Sequence, residues 1–165
     1  MKTLIFFIAV SLFYSFAEAQ QPSQVKYYAD KTQSTITYAM NHPLHAWEGV
    51  SKEINSVILT DANKNVITQA AVSVKISSFD SQNANRDSHC MEVTEAIKYP
   101  NISFASTSIK QNGNILEITG KLTFHGITKE ITLTAEKKTL NNQVQVSGNF
   151  SVNMTDYNID PPSLM

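Results

Sequence analysis

Phe79-Asp80-Ser81-Gln82-Asn83-Ala84-Asn85-Arg86-Asp87-Ser88-His89 leads through a short amphipathic run into Lys98-Tyr99-Pro100-Asn101-Ile102-Ser103-Phe104. This stretch decides the fold. A polar loop carrying Asn-Arg-Asp-x-His is expected to end one strand. A helix of about three turns follows. Tyr99-Pro100 stops it, because proline disfavours helical backbone in the residue before it. Phe104 then lies in a new strand. One helix set into a chain of strands predicts a plug or lid on a β-barrel.

Outward from this stretch the chain alternates at period two from Ser34 onward. The clearest strand is predicted over Ile115 to His125. Leu116, Ile118, Leu122 and Phe124 share one face, with Gly120 between them. Glu117, Thr119, Lys121 and Thr123 share the other. Val144, Val146, Phe150, Val152 and Met154 are expected on one face of the last strand. Val66, Ala70, Val72, Val74 and Ile76 share a phase, as do Ile131, Leu133 and Ala135. Asn112-Gly113-Asn114 predicts a type I′ hairpin turn, since Asn-Gly accepts positive φ. His125-Gly126 and Asn141-Asn142 mark further reversals, and Asp61 to Asn65 connects two strands.

Roughly seven or eight such strands predict an antiparallel sheet wrapped round an apolar interior. A barrel of that size is filled by side chains or holds one small ligand. Periodicity leaves both open. The candidate wall consists of Leu116, Ile118, Leu122, Phe124, Val146 and Phe150.

The first nineteen residues read as a leader. Lys2 is a positive n-region, Leu4 to Phe16 is apolar, and Ala17-Glu18-Ala19 is a small-x-small cleavage site. The apolar run is too short for a membrane span. The expected organisation is a signal peptide at 1–19 and one barrel domain at 20–165, with a periplasmic or secreted location. Removing 19 of 165 residues leaves 146, and the net charge stays at −1. With no basic patch, nucleic-acid binding through phosphates is not expected. Cys90 is the only cysteine, so an exported chain has no internal disulfide. It reads as a reactive thiol, the bridge of a homodimer, or a buried side chain. Its helical stripe with Val93, Thr94 and Ile97 favours burial.

No nucleophile elbow, phosphate loop or Cys-x-x-Cys is present, and the expectation is no enzyme. His42 and His45 lie in a loop between the first two strands, and His89 in the Arg-Asp loop. Two histidines three apart can bind a transition metal if a third ligand approaches. The expectation is nonetheless no metal, with His42, His45 and His89 as the alternative for a metal or redox accessory protein. Arg86 has two readings. It ties the loop to the barrel wall, or with His89 it faces a ligand headgroup at the cavity mouth. Trp47, the only tryptophan, caps the barrel or lines its pocket.

The Arg86-Asp87-x-His89 loop, the helix and Tyr99-Pro100-x-Ile102-x-Phe104 together closely resemble the YceI-like family of lipid/polyisoprenoid-binding proteins. Gly120-Lys121-Leu122-Thr123-Phe124-His125-Gly126-Ile127-Thr128-Lys129 is similar to that family's hairpin. The resemblance implies a lipocalin-like antiparallel β-barrel with one short helix and an elongated apolar cavity. It implies a bound polyisoprenoid, isoprenoid quinone or similar amphiphile, no cofactor, and transient membrane contact. On that reading Trp47, Arg86, His89, Met91 and Phe104 join the wall residues as ligand contacts. The family has Leu after its histidine where this chain has Cys90 and then Met91, which softens the lining. Relatives also continue past a loop like Asp160 to Met165 into a closing strand. The expectation is therefore a fragment, or a barrel with an exposed edge, and the hazard of exposed edges favours the fragment. A filled-barrel stress or interaction protein is the third reading.

Overall fold

The computed structural model describes residues 24–42, 45–140 and 143–161, without the side chains of 41, 42 and 45. The chain is mainly β, as the alternation predicts. Nine strands are described: β1 (Gln24–Tyr28), β2 (Ile36–His42), β3 (His45–Ser51), β4 (Ile54–Asp61), β5 (Val66–Lys75), β6 (Asn101–Asn112), β7 (Ile115–Phe124), β8 (Ile127–Leu140) and β9 (Gln143–Asn149). One α-helix, α1 (Ala84–Val93), lies between β5 and β6. Short 3₁₀ turns occupy Ile76–Ser78 and Met154–Tyr157.

Seven strands form one antiparallel sheet in the order β1-β4-β5-β6-β7-β8-β9. β2 and β3 form a separate hairpin, so β1 skips it and pairs with β4. The sheet curls into half a barrel. Its inner face gathers Ile58 of β4, Ile67 of β5, Leu133 of β8 and Val144 of β9 around Leu116 of β7. A second cluster packs Leu122 against Tyr157 and Ile159, with Val93, Phe104 and Phe124 around them. β7 carries the alternation most clearly. Leu116, Ile118 and Leu122 are buried, while Ile115 and Glu117 face solvent.

Turn chemistry sets two of the reversals. His125 (φ +50°) and Gly126 (φ +73°) are both left-handed, the type I′ pattern. At the other hairpin Gly113 (φ +59°) is left-handed and Asn114 is not. That is the type II′ pattern, with glycine at the first central position, rather than the expected I′. Asn141 and Asn142 lie outside the described residues.

Several expectations need correction. The first described strand is β1, ahead of Ser34, and His42 and His45 are not in a loop between the first two strands: they pair as the last residue of β2 and the first of β3, the second and third strands. The phase expected over Val66 to Ile76 breaks at a bulge, where Leu59 pairs with Gln69 but Thr60 with Ile67. One extra residue shifts the alternation, so Ile67 rather than Val66 enters the core. Ile76 is in a 3₁₀ turn. β9 ends at Asn149, where pairing with β8 stops at Thr134. Phe150 and Val152 therefore follow the strand, and Met154 opens a 3₁₀ turn. Phe79, expected in a strand ahead of the polar loop, lies outside one, after Ser78.

Candidate functional site

The inner face of the curled sheet is the candidate site, and its middle is closed. Leu116 is 0% exposed and Leu122 3% exposed. Ile118 is buried beside Leu116, and half-buried Phe104 packs against both apolar clusters. The Phe104 ring lies over Gly120, where an added Cβ would come 2.5 Å from it. Phe124 stacks at a tilt on Tyr157, with ring centroids 5.6 Å apart. The register brings Leu116, Ile118, Leu122, Phe124 and Phe104 onto one continuous face.

The edges of this face are open. Val25 and Tyr27 on β1 lie opposite Thr60 and Ile58, and so belong to the inner phase. Val146 on β9 lies opposite Lys137 in the same phase. All three are more than a third exposed. Phe150, off the strand, is 51% exposed, so it stands beyond the packed wall in which it was expected.

At one end, α1 and the β2–β3 hairpin meet. Asn83 caps the helix by accepting from the Arg86 backbone N–H at 3.1 Å. Arg86, Asp87 and His89 thus lie in the helix itself, not in a loop before it. The Arg86 guanidinium sits 5.5 Å from the Trp47 ring centroid and donates to the Ser81 carbonyl at 3.4 Å. Asp87 accepts from the Ser81 N–H at 3.1 Å. The hairpin docks here too, since Val50 and Asp80 exchange backbone hydrogen bonds of 2.9 and 3.0 Å. Tyr38 meets Phe79 edge-on at 5.3 Å, and the absence of a Cβ at Gly49 makes room for its ring. Arg86 and Trp47 are brought together as a clasp. His89 is not brought with them: it faces solvent, with Nδ1 3.6 Å from the Glu92 carboxylate. Met91 is also exposed.

Cys90 is half-buried. Burial, with a contribution from Asp87, raises its thiol pKa. That is the opposite of an activated nucleophile. The predicted helical stripe runs out early. Val93 packs on the Leu122 cluster and Thr94 is buried at the C-cap, its hydroxyl donating to the Cys90 carbonyl at 2.6 Å. Ile97, past the helix end, is fully exposed.

Two polar clasps close the ends, and sequence reading missed the role of both. At the end that holds the Gly113 turn, Lys137 is only 3% exposed, yet its ammonium donates to the Asn65 carbonyl at 2.6 Å and to Asn65 Oδ1 at 3.1 Å. Its signal was available: Lys137 shares the phase of Leu133 and Ala135. At the helix end His125 bridges the Tyr157 carbonyl (Nδ1, 2.8 Å) and Glu95 (Nε2, 2.8 Å), and packs edge-on to Tyr99. Those partners are distant in sequence, so only the turn itself was legible. The side chains of His42 and His45 lie outside the described residues. Among the described residues no cluster of three or more His, Cys, Asp or Glu is placed to hold a metal ion.

A YceI-like domain model matches residues 27–164. Protein YceI of Salmonella newport (strain SL254) is 29% identical over 138 residues, which cover 82% of this chain and 72% of that protein. Among solved structures, Burkholderia cenocepacia BcnA is similar in fold, with a TM-score of 0.70 and 21% identity over 81% of this chain and 86% of BcnA. A polyisoprenoid binding domain from Saccharophagus degradans superposes with a TM-score of 0.61 at 9% identity, over 82% of this chain and 81% of that domain.

Proposed function

The chain belongs to the YceI-like family, and on that premise we propose that it is an exported protein holding a polyisoprenoid, isoprenoid quinone or similar amphiphile without transforming it. The distribution of apolar side chains on the inner face carries this reading. The middle of the face is packed shut, whereas Val25, Tyr27 and Val146 at its edges keep apolar surface open. An extended apolar ligand lying along the inner face would take that surface out of water. The fold likeness to a polyisoprenoid binding domain supports the same ligand class.

Burial supplies the affinity. Each CH₂ taken from water contributes roughly 0.8 kcal/mol, so about a dozen carbons give roughly 10 kcal/mol gross. Ordering the chain and losing its translation offset much of that. The remainder suits a carrier that exchanges its cargo. In this reading Val146, Phe104, Phe124 and Phe150 touch the tail. Arg86 and Trp47 hold α1 in place over one end.

A filled barrel serving as an interaction protein is the second reading, favoured by the burial of Leu116, Ile118 and Leu122. Two measurements decide between them. Lipid extracted from natively purified protein is expected to contain a long-chain isoprenoid by mass spectrometry. Val146→Asp is expected to weaken a fluorescent polyisoprenoid analogue at least tenfold, about 1.4 kcal/mol, with an unchanged melting temperature because Val146 lies at an exposed edge. No extracted lipid, together with no binding of the analogue, would overturn the proposal in favour of the filled barrel.

A further inference from the structure

A trough of about 620 Å³ crosses the other face of the large sheet, a volume in the range of small-molecule sites, roughly 300–1,000 Å³. Most of its lining residues alternate away from Leu122, among them Lys121 and Thr123 on β7, and Ile54, Ser56, Val72 and Phe104 of the inner phase border it as well. The register explains the space. Ala71 lies opposite Ala105, and Ser73 opposite Ser103. Four small side chains at adjacent cross-strand positions leave a low floor. Tyr28 and Val57 rise on one side of it, Lys121 and Thr128 on the other. A smaller hollow of about 230 Å³ shares Val57, Ala71 and Ala105 with the trough and extends to Lys26.

The charge in this trough has one sign. Lys31 and Lys121 line it, Lys26 lines the hollow, and neither lining contains an Asp or Glu; Glu130 on β8, which the register sets opposite Lys121, lies outside both linings. Composition does not account for that, since the chain carries 14 acidic and 13 basic residues. Elsewhere on the same face lysines are paired: Lys110 lies 2.8 Å from Glu117 and Lys138 3.2 Å from Glu136. None of the ion pairs among the described residues involves Lys26, Lys31 or Lys121. A concave surface lined by one sign of charge concentrates counter-ions.

We propose that this trough is a second ligand site, separate from the inner face, for an amphiphilic organic anion. The apolar body of the ligand lies on Ala71 and Ala105. Lys31 or Lys121 holds its acidic group, to which the hydroxyls of Ser73 and Ser103 donate.

A matched pair of dyes tests this in the full chain: 1-anilinonaphthalene-8-sulfonate and its uncharged parent, N-phenyl-1-naphthylamine. The double variant K31E/K121E, at two exposed positions, is expected to weaken the sulfonate at least tenfold and leave the uncharged dye unchanged. Ala105→Trp, which fills the floor at an exposed position, is expected to weaken the sulfonate by a similar factor. Farnesol, an uncharged isoprenoid, is expected not to displace the sulfonate from wild type. A sulfonate affinity indifferent to both variants, or full displacement by farnesol, would overturn the proposal. The farnesol titration also keeps the two sites apart, because farnesol that fails to bind at all counts against the inner-face reading and not against this one.

Discussion

At the end that holds the Gly113 turn the inner face is closed by Leu116 and Ile118 under Ile67 and Ala135, with Lys137 reaching across to Asn65. At the helix end Leu122 is closed by Tyr157 and Ile159, which His125 pins in place. The two closures differ in kind. The first consists of the sheet's own strands, so it cannot open without unpairing them. The second is assembled from the segment after α1, a turn and the chain beyond β9, none of which is part of the sheet. Opening free energies in a protein range from near zero up to the global value, and units outside the central ladder lie toward the low end. The helix end is therefore where the inner face opens at least cost.

The largest effect is expected at the Gly113 end. Leu116→Ala removes a fully buried side chain at the centre of its cluster and should cost about 3 kcal/mol. Urea unfolding followed by far-UV circular dichroism would measure it as a lower midpoint with an unchanged slope. A cost under about 1 kcal/mol would mean that this end collapses to fill the space, and that it is less rigid than its counterpart.

A smaller and local effect is expected at the helix end. His125→Asn keeps a residue that tolerates positive φ and removes the reach to Tyr157 and Glu95. The loss should be about 1 kcal/mol, since Glu95 is half exposed. Hydrogen exchange should quicken over Asn153 to Ile159 and stay unchanged over Leu116 to Ile118. Equal quickening at both ends would dissolve the distinction between them.

The comparison also marks what the sequence could say. β7 was legible because Leu116, Ile118 and Leu122 alternate with Glu117, Thr119 and Lys121 without interruption, and His125-Gly126 carries its own turn chemistry. The core entry of Ile67 was not legible, because a one-residue bulge leaves no compositional mark in Val66-Ile67-Thr68-Gln69. Placing Phe150 and Met154 on β9 failed for a related reason. Alternation continues in the residues after the hydrogen bonds to β8 have ended at Thr134, although β8 itself runs on to Ile127. In the candidate site, Trp47 and Arg86 were both singled out, but their contact joins residues 39 apart along the chain, and residue spacing does not encode such a meeting. The trough on the other face arises from Ala71, Ser73, Ser103 and Ala105. Small residues on a solvent face look unremarkable until the register sets them side by side.

The smallest expected effect concerns Cys90, which reports on the helix end from within. Burial first, and Asp87 second, raise its thiol pKa above the usual 9.0. The folded state therefore holds the thiol proton more tightly than the unfolded chain does. Its contribution to stability is fully present below the unfolded pKa and is lost as pH rises through the higher folded pKa. Tyr38 on the docked hairpin shifts the same way, through burial first and then the neighbouring Cys90 and Asp87 charges. Both shifts depend on α1 and the β2–β3 hairpin staying together. Alkylation by iodoacetamide at pH 8 should therefore be roughly fivefold or more slower in the native protein than in urea, because the thiolate is the reacting species. His125→Asn should recover part of that rate by loosening the packing beyond α1, whereas Leu116→Ala, below its own unfolding midpoint, should not. Equal rates in native and unfolded protein would mean that the helix and hairpin separate freely in solution. Recovery by Leu116→Ala as large as that by His125→Asn would mean that the two ends open as one unit.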